Sequence, residues 1–168
     1  VVQTLTGGVK QLLKKNKVAY IEGEARISKN LKVDVNNETY QAKDIILATG
    51  SKPFIPPIDG LDQVNYETTD TFFDLEKLPK QLAAIGGGVI ATELASSMAD
   101  LGVRVTIIEV ADDILLTEIN ETREMLKAHL DNQGIKILTK AKIKQVKESK
   151  IILDLSLIHI SEPTRLGM

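Results

Sequence analysis

Gly86, Gly88 and Ala91 stand at the spacing G-x-G-x-x-G/A, and an acid, Glu109, follows 23 residues after the first of them. Each type has a physical task at its position. A glycine at 86 permits a tight turn out of a strand, and one at 88 lets the backbone approach a pyrophosphate. A small residue at 91 lets a helix lie close on the strands. Free N–H groups and the dipole at the start of that helix favour an anion. Glu109 would accept hydrogen bonds from an adenosine ribose. Its charge repels a 2′-phosphate, and no Arg follows it in VADDILL. The expected ligand is therefore NAD rather than NADP.

The surrounding elements supply the context this motif needs. Leu82–Ile85 reads as a short buried strand. A helix then runs to about Asp100 and stops at Gly102, and Val103–Ile108 forms the next strand with Glu109 at its end. Asn120 is expected to cap a helix reaching about Gln133, with Ile119, Met125, Leu126 and Leu130 as its apolar stripe. Gly134 supplies its stop. His129 on this helix has no nearby ligand set and reads as a surface residue. Ile135, Ile137 and Leu138 make a third strand, and Ile143–Val146 with Ile151–Leu153 begin a hairpin.

The first fifty residues have a similar order. Val1–Asn16 carries helical periodicity, with Gly7 and Gly8 suggesting close packing against a neighbour. Lys14, Lys15 and Lys17 suit the negative end of the helix dipole. Val18–Ile21 reads as an interior strand. Between Arg26 and Ala42, Leu31, Val33 and Val35 alternate, Asn36-Asn37 make a turn and Thr39-Tyr40 return, as in a half-exposed meander. Ile45–Ala48 is expected to be a second buried strand. Residues 51–79 hold four of the five prolines, so this stretch reads as an extended connection. Within it Thr69 or Asp70 would cap a short helix through Leu75, and Phe72 and Phe73 would be packing residues. The order helix, strand, meander starts again after the glycine motif and stops before its closing strand. The expected class is α/β: a Rossmann-like NAD-binding βαβ unit and, before it, a related nucleotide-binding unit, both incomplete.

Bulk properties narrow the chemistry. The net charge is −2, giving no general attraction to nucleic acid or membrane. No apolar run reaches the length of a transmembrane helix. There is no cysteine, so these 168 residues contain no disulfide, thiolate metal site or cysteine nucleophile. Two histidines make a histidine-rich metal centre an unpromising reading. No catalytic residue and no metal site is expected within the chain, and a cytoplasmic location fits the absence of cysteine. The first residue is Val, inside a helical pattern, so an N-terminal portion is expected to be missing. Leu155–Met168 contains LSLIHISEPTR, which resembles a translated sequencing adaptor, and it is set apart from the fold.

Three segments carry a family resemblance: LTGGVKQLLKKNKV (Leu5–Val18), DIILATGSKP (Asp44–Pro53) and IGGGVIATELAS (Ile85–Ser96). With them the chain to about Asp154 resembles the dihydrolipoamide dehydrogenases of the flavoprotein pyridine nucleotide–disulfide oxidoreductases. The resemblance implies that residues 1–50 are the later part of an FAD domain, 51–79 an interdomain connection, and 80–154 a truncated NAD domain. It implies FAD contacts at Ala25 and at Thr49, Gly50 and Ser51. It implies an NAD cradle from Gly86 through Gly87, Gly88, Val89, Ile90, Ala91, Thr92 and Glu93, with Glu93 facing the nicotinamide pocket. Glu109 would hold the adenosine ribose, and Ile143 would line the adenine site through its backbone. One departure stands out: Ala91 occupies a position that is usually Gly in this branch and Ala in the glutathione reductase branch.

In such an enzyme a dithiol substrate reduces a redox disulfide, and electrons reach NAD through FAD. The cysteine pair, the FAD fingerprint and the catalytic His–Glu pair are expected outside these residues, so the chain alone is expected to be inactive. The implied partner is the lipoyl-bearing component of a 2-oxoacid dehydrogenase complex, and the implied parent is a homodimer. Two alternatives remain open. One is a related reductase acting on another disulfide, a metal ion or a quinone. The other is a non-catalytic NAD-binding module.

Overall fold

The computed structural model describes residues 2–148 and 150–154; the adaptor-like tail lies outside them. The chain divides into two compact units after Ser51.

In the first unit, α1 (Val2–Lys15) is followed by an antiparallel meander of β1 (Arg26–Ser28), β2 (Lys32–Val35) and β3 (Glu38–Gln41). Asn36 and Asn37 both adopt left-handed backbone, φ 52° and 64°, which is the pair of conformations a two-residue hairpin turn requires. The register places Ile27 and Tyr40 on either side of Val33. Val35 is the buried hydrophobic residue of the meander.

Several expectations are corrected here. Val18–Ile21 and Ile45–Ala48 form no strand, and Val18, Tyr20, Ile21, Ile46 and Leu47 are exposed. A strand is defined by ladder partners, and among the described residues neither run has one. Gly7 and Gly8 lie in a continuous helix with nothing within 4 Å of an added Cβ, so no close neighbour explains them among the described residues. Leu31 sits in the β1–β2 turn with positive φ rather than on the strand.

The second unit holds the core. β4 (Gln81–Ile85), β5 (Arg104–Ile108) and β6 (Lys136–Leu138) form a parallel sheet in the order β4-β5-β6. The crossovers are α2 (Val89–Asp100) and α3 (Asn120–Asn132). This is an α/β fold with the βαβ unit that the glycine spacing predicted. Ala95 and Met98 of α2, Val105 and Ile107 of β5, and Leu130 of α3 form the buried centre. α2 and α3 end alike: Gly102 and Gly134 take φ 85° and 76°, while Val103 and Ile135 donate back to Met98 and Leu130 carbonyls, the paired bonds of a Schellman stop. β7 (Lys142–Lys147) and β8 (Lys150–Asp154) form a separate antiparallel pair with an irregularity between Ile143 and Gln145.

Four details differ from the sequence reading. β4 is half-exposed rather than buried, because among the described residues it pairs with β5 on one side only. Asn120 is the first residue of α3 rather than its cap, and its Oδ1 accepts from Arg123 Nη2 at 3.0 Å. Ile119 and Met125 are exposed, so the apolar stripe of α3 narrows to Leu126 and Leu130. The short helix is a 3-10 turn, Phe72–Asp74; Thr68 and Thr71, not Thr69 or Asp70, make the local side-chain bonds before it. Phe72 packs on the core, while Phe73 is 76% exposed and touches Phe72 edge-on.

Candidate dinucleotide site

β4 delivers the chain to the glycine turn, and α2 leaves it. Gly86 takes φ +103° and donates its N–H to the Ile108 carbonyl at 2.8 Å. That bond extends the β4–β5 ladder by one residue and fixes where the turn begins. Around Gly86 and Gly88 there is open space where a side chain would stand. Gly87 is the crowded glycine: an added Cβ would lie 2.5 Å from Ile114 Cγ2 and 3.2 Å from Glu109 Oε2. The start of α2 has no side-chain cap and no acid in its first turn. Its orphan N–H groups therefore face an uncontested position for an anion.

Glu109, partly buried at the end of β5, is tied to this turn. Its Oε2 accepts from the Gly87 N–H at 2.6 Å and its Oε1 from the Ala111 N–H at 2.8 Å. A carboxylate has about four lone-pair sites, so capacity for two ribose hydroxyls remains after these bonds. The acid thus has a defined orientation before any ligand arrives. The residues present fit a dinucleotide: open backbone at two glycines, an uncapped helix start and a pre-oriented carboxylate.

The other named positions are placed as follows. Val89 and Ile90 are exposed at the first turn of α2, and Ala91 is half-buried. Thr92 is buried, and its hydroxyl donates to the Gly88 and Val89 carbonyls at 3.2 and 2.9 Å, so that side chain braces the helix start from inside. Glu93 is exposed, and its carboxylate has no partner among the described residues. Ile143 is half-buried on β7, two residues after Ala141, whose N–H donates to the Glu109 carbonyl at 2.9 Å. In the first unit, Ala25 precedes β1, and Thr49, Gly50 and Ser51 are exposed in an irregular segment with Gly50 at φ 70°.

Sequence reasoning missed the loop after Glu109. Leu115 donates its N–H to the Gly87 carbonyl at 2.8 Å, and Ile114 is fully buried against Gly87. The signal was an apolar pair, Ile114-Leu115, inside a polar stretch. Beside β4 the turn opens on a groove of about 750 Å³ lined by Phe54, Tyr66, Phe72, Leu82, Ile90 and neighbouring residues. Among the described residues no cluster of acids and histidines could hold a metal, and no helix is long and apolar enough to cross a membrane.

A parallel βαβ unit with this turn and acid defines a dinucleotide-binding Rossmann-like class. The chain belongs to the pyridine nucleotide-disulphide oxidoreductase family, whose model matches residues 1–165; these oxidoreductases use FAD and NAD(H). It is 39% identical over 160 residues to a dihydrolipoyl dehydrogenase of Acholeplasma laidlawii, covering 92% of this chain and 47% of that protein. It is 40% identical over 144 residues to one of Thermus scotoductus, covering 84% of this chain and 31% of that protein. Among solved structures it is similar to the HOCl-induced flavoprotein disulfide reductase RclA from Escherichia coli, with a TM-score of 0.72 and 28% identity over 91% of this chain and 38% of that one. The chain thus spans less than half the length of the curated relatives it matches.

Proposed function

We propose that this chain is the NAD-holding part, and one wall of the FAD site, of a flavoprotein that oxidises dihydrolipoamide and reduces NAD. The observation that carries this reading is the Glu109 carboxylate bonded to the Gly87 N–H within an open glycine turn. Gly86, Gly88 and the first N–H groups of α2, at Val89, Ile90 and Ala91, hold the pyrophosphate; Glu109 holds the adenosine ribose and disfavours a 2′-phosphate. Glu93 faces the nicotinamide, and the Ile143 backbone lines the adenine. Ala25, Thr49, Gly50 and Ser51 meet FAD. The flavin, when bound, supplies hydride chemistry between the dithiol and NAD. The chain's own residues bind and orient; with no cysteine present, the disulfide relay belongs to sequence outside them.

Residues 1–50, 51–79 and 80–154 are read as FAD-domain portion, connection and NAD domain. Two features support the first assignment: the family match and the exposed apolar residues Ile46 and Leu47, which suit strands of a larger sheet. The partner is the lipoyl-bearing component of a 2-oxoacid dehydrogenase complex, the parent is a homodimer, and its location is cytoplasmic.

Dihydrolipoamide-dependent NAD reduction by the full-length protein is the expected activity. Turnover of a different disulfide substrate at a much higher rate would instead favour the related-reductase reading, which Ala91 supports. The 168-residue chain alone is expected to show no turnover with dihydrolipoamide.

A further inference from the structure

The loop that braces Gly87 is itself held from α3. Asp113 Oδ1 lies 3.2 Å from Lys127 Nζ, and Asp113 Oδ2 lies 3.7 Å from Arg123 Nη1. The same Oδ1 accepts the Ile114 N–H at 2.9 Å. The Asp113 and Arg123 side chains are each 17% exposed and that of Lys127 is 31% exposed. Arg123 Nε is buried without a hydrogen-bond partner among the described residues. Its guanidinium therefore makes its polar contacts through the terminal nitrogens alone, to Asp113 and to Asn120 Oδ1. Lys127 is steadied in turn by Glu124 at 3.1 Å.

From Asp113 the connection to the turn is two residues long. Ile114 fills the space over Gly87, and the Leu115 N–H holds the Gly87 carbonyl. Leu115 does so at φ 52°, a left-handed conformation that costs a non-glycine residue and persists only where its surroundings fix it. Both backbone groups of Gly87 are thus engaged, the N–H by Glu109 and the carbonyl by Leu115.

We propose that Asp113, gripped by Arg123 and Lys127, is a positioning residue that holds the glycine turn in its nucleotide-receiving shape. The effect on nucleotide rests on the reading of the turn as an NAD site. The shape of the turn does not.

The test uses the full-length protein and two readouts: NADH titration, and amide hydrogen exchange of the segments containing Gly87 and Leu115. Asp113→Asn is expected to speed exchange at both segments and to raise the NADH Kd about fivefold, the scale of one partly covered ion pair. Asp113→Glu, which keeps both the charge and the acceptor oxygens, is expected to restore most of both losses. A merely global loss of stability would instead speed exchange across the whole second unit rather than at these two segments. Unchanged exchange and unchanged Kd in Asp113→Asn would overturn the proposal, as would a uniform rise in exchange or failure of the Asp113→Glu rescue. Accelerated exchange in a protein that never binds NADH would support the clamp while overturning the nucleotide reading. If Asp113→Asn does not fold, Lys127→Met provides the same readouts at smaller size, and no change there overturns the proposal.

Discussion

Ile46 and Ile107 both sit in apolar-rich runs of similar length, yet Ile46 is 90% exposed and Ile107 is 0% exposed. Both regions combine a helix, apolar runs and antiparallel strands. In the second unit the run becomes β5, laddered to β4 on one side and β6 on the other and packed against α2. In the first unit Ile45–Ala48 has no strand beside it among the described residues. The antiparallel strands form in both, the meander in the first unit and the β7–β8 pair in the second, because antiparallel hairpins draw their partners from adjacent sequence. Parallel strands draw theirs across long crossovers. An apolar run therefore states a capacity for burial, and the ladder decides whether burial occurs.

The sharpest way to break this comparison is truncation on each side. Ile107→Ala should cost about 2–5 kcal/mol, as a fully buried aliphatic does. Leu47→Ala, at 69% exposure, should change stability by less than about 0.5 kcal/mol in the 168-residue chain. Urea denaturation checks both, and equal losses would collapse the distinction. Gly87→Ala comes next. Its new methyl would meet Ile114 and should cost about 1–3 kcal/mol by overpacking, seen as a lower Tm together with weaker NADH binding. Gly88→Ala, in open space, should leave Tm nearly unchanged and weaken NADH binding alone. In the first unit, Asn37→Gly should stabilise the meander by about 0.5–1 kcal/mol, since Gly adopts the left-handed conformation without the Cβ penalty.

The smallest expected effect is acid sensitivity at Asp113. Burial pushes its carboxyl up, but the Ile114 N–H, the Lys127 ammonium and the Arg123 charge outweigh this and hold it below the ordinary 3.8. A depressed folded value contributes stability above pH 3.8 that is lost as pH falls through the folded value. Exchange at Leu115 should therefore accelerate only below about pH 3.8, and Asp113→Asn should remove that dependence.

Much of the site was legible from residue types because its parts are local. The glycine spacing, the acid at the end of the next strand and the glycine helix stops each depend on a few consecutive residues. The meander turn at Asn36-Asn37 was legible for the same reason. The strand at Ile45–Ala48 was misread because its outcome depends on neighbours distant in sequence. The Asp113–Arg123–Lys127 cluster was invisible because its members come from a loop and a helix whose meeting only the packed fold reveals. Glu109 was read as a ribose acceptor, but its bonds to Gly87 and Ala111 could not be seen without the turn's geometry.

The central claim is that Glu109 and the glycine turn form one NAD-receiving unit. Titration of the full-length protein with NADH and NADPH, beside the same titrations of Glu109→Ala, tests it most directly. The account predicts tighter binding of NADH than NADPH, and a loss of roughly tenfold or more in NADH affinity for the variant, the scale of hydrogen bonds to a charged group. Tighter binding of NADPH by the unmutated protein, or NADH affinity untouched by Glu109→Ala, would contradict it.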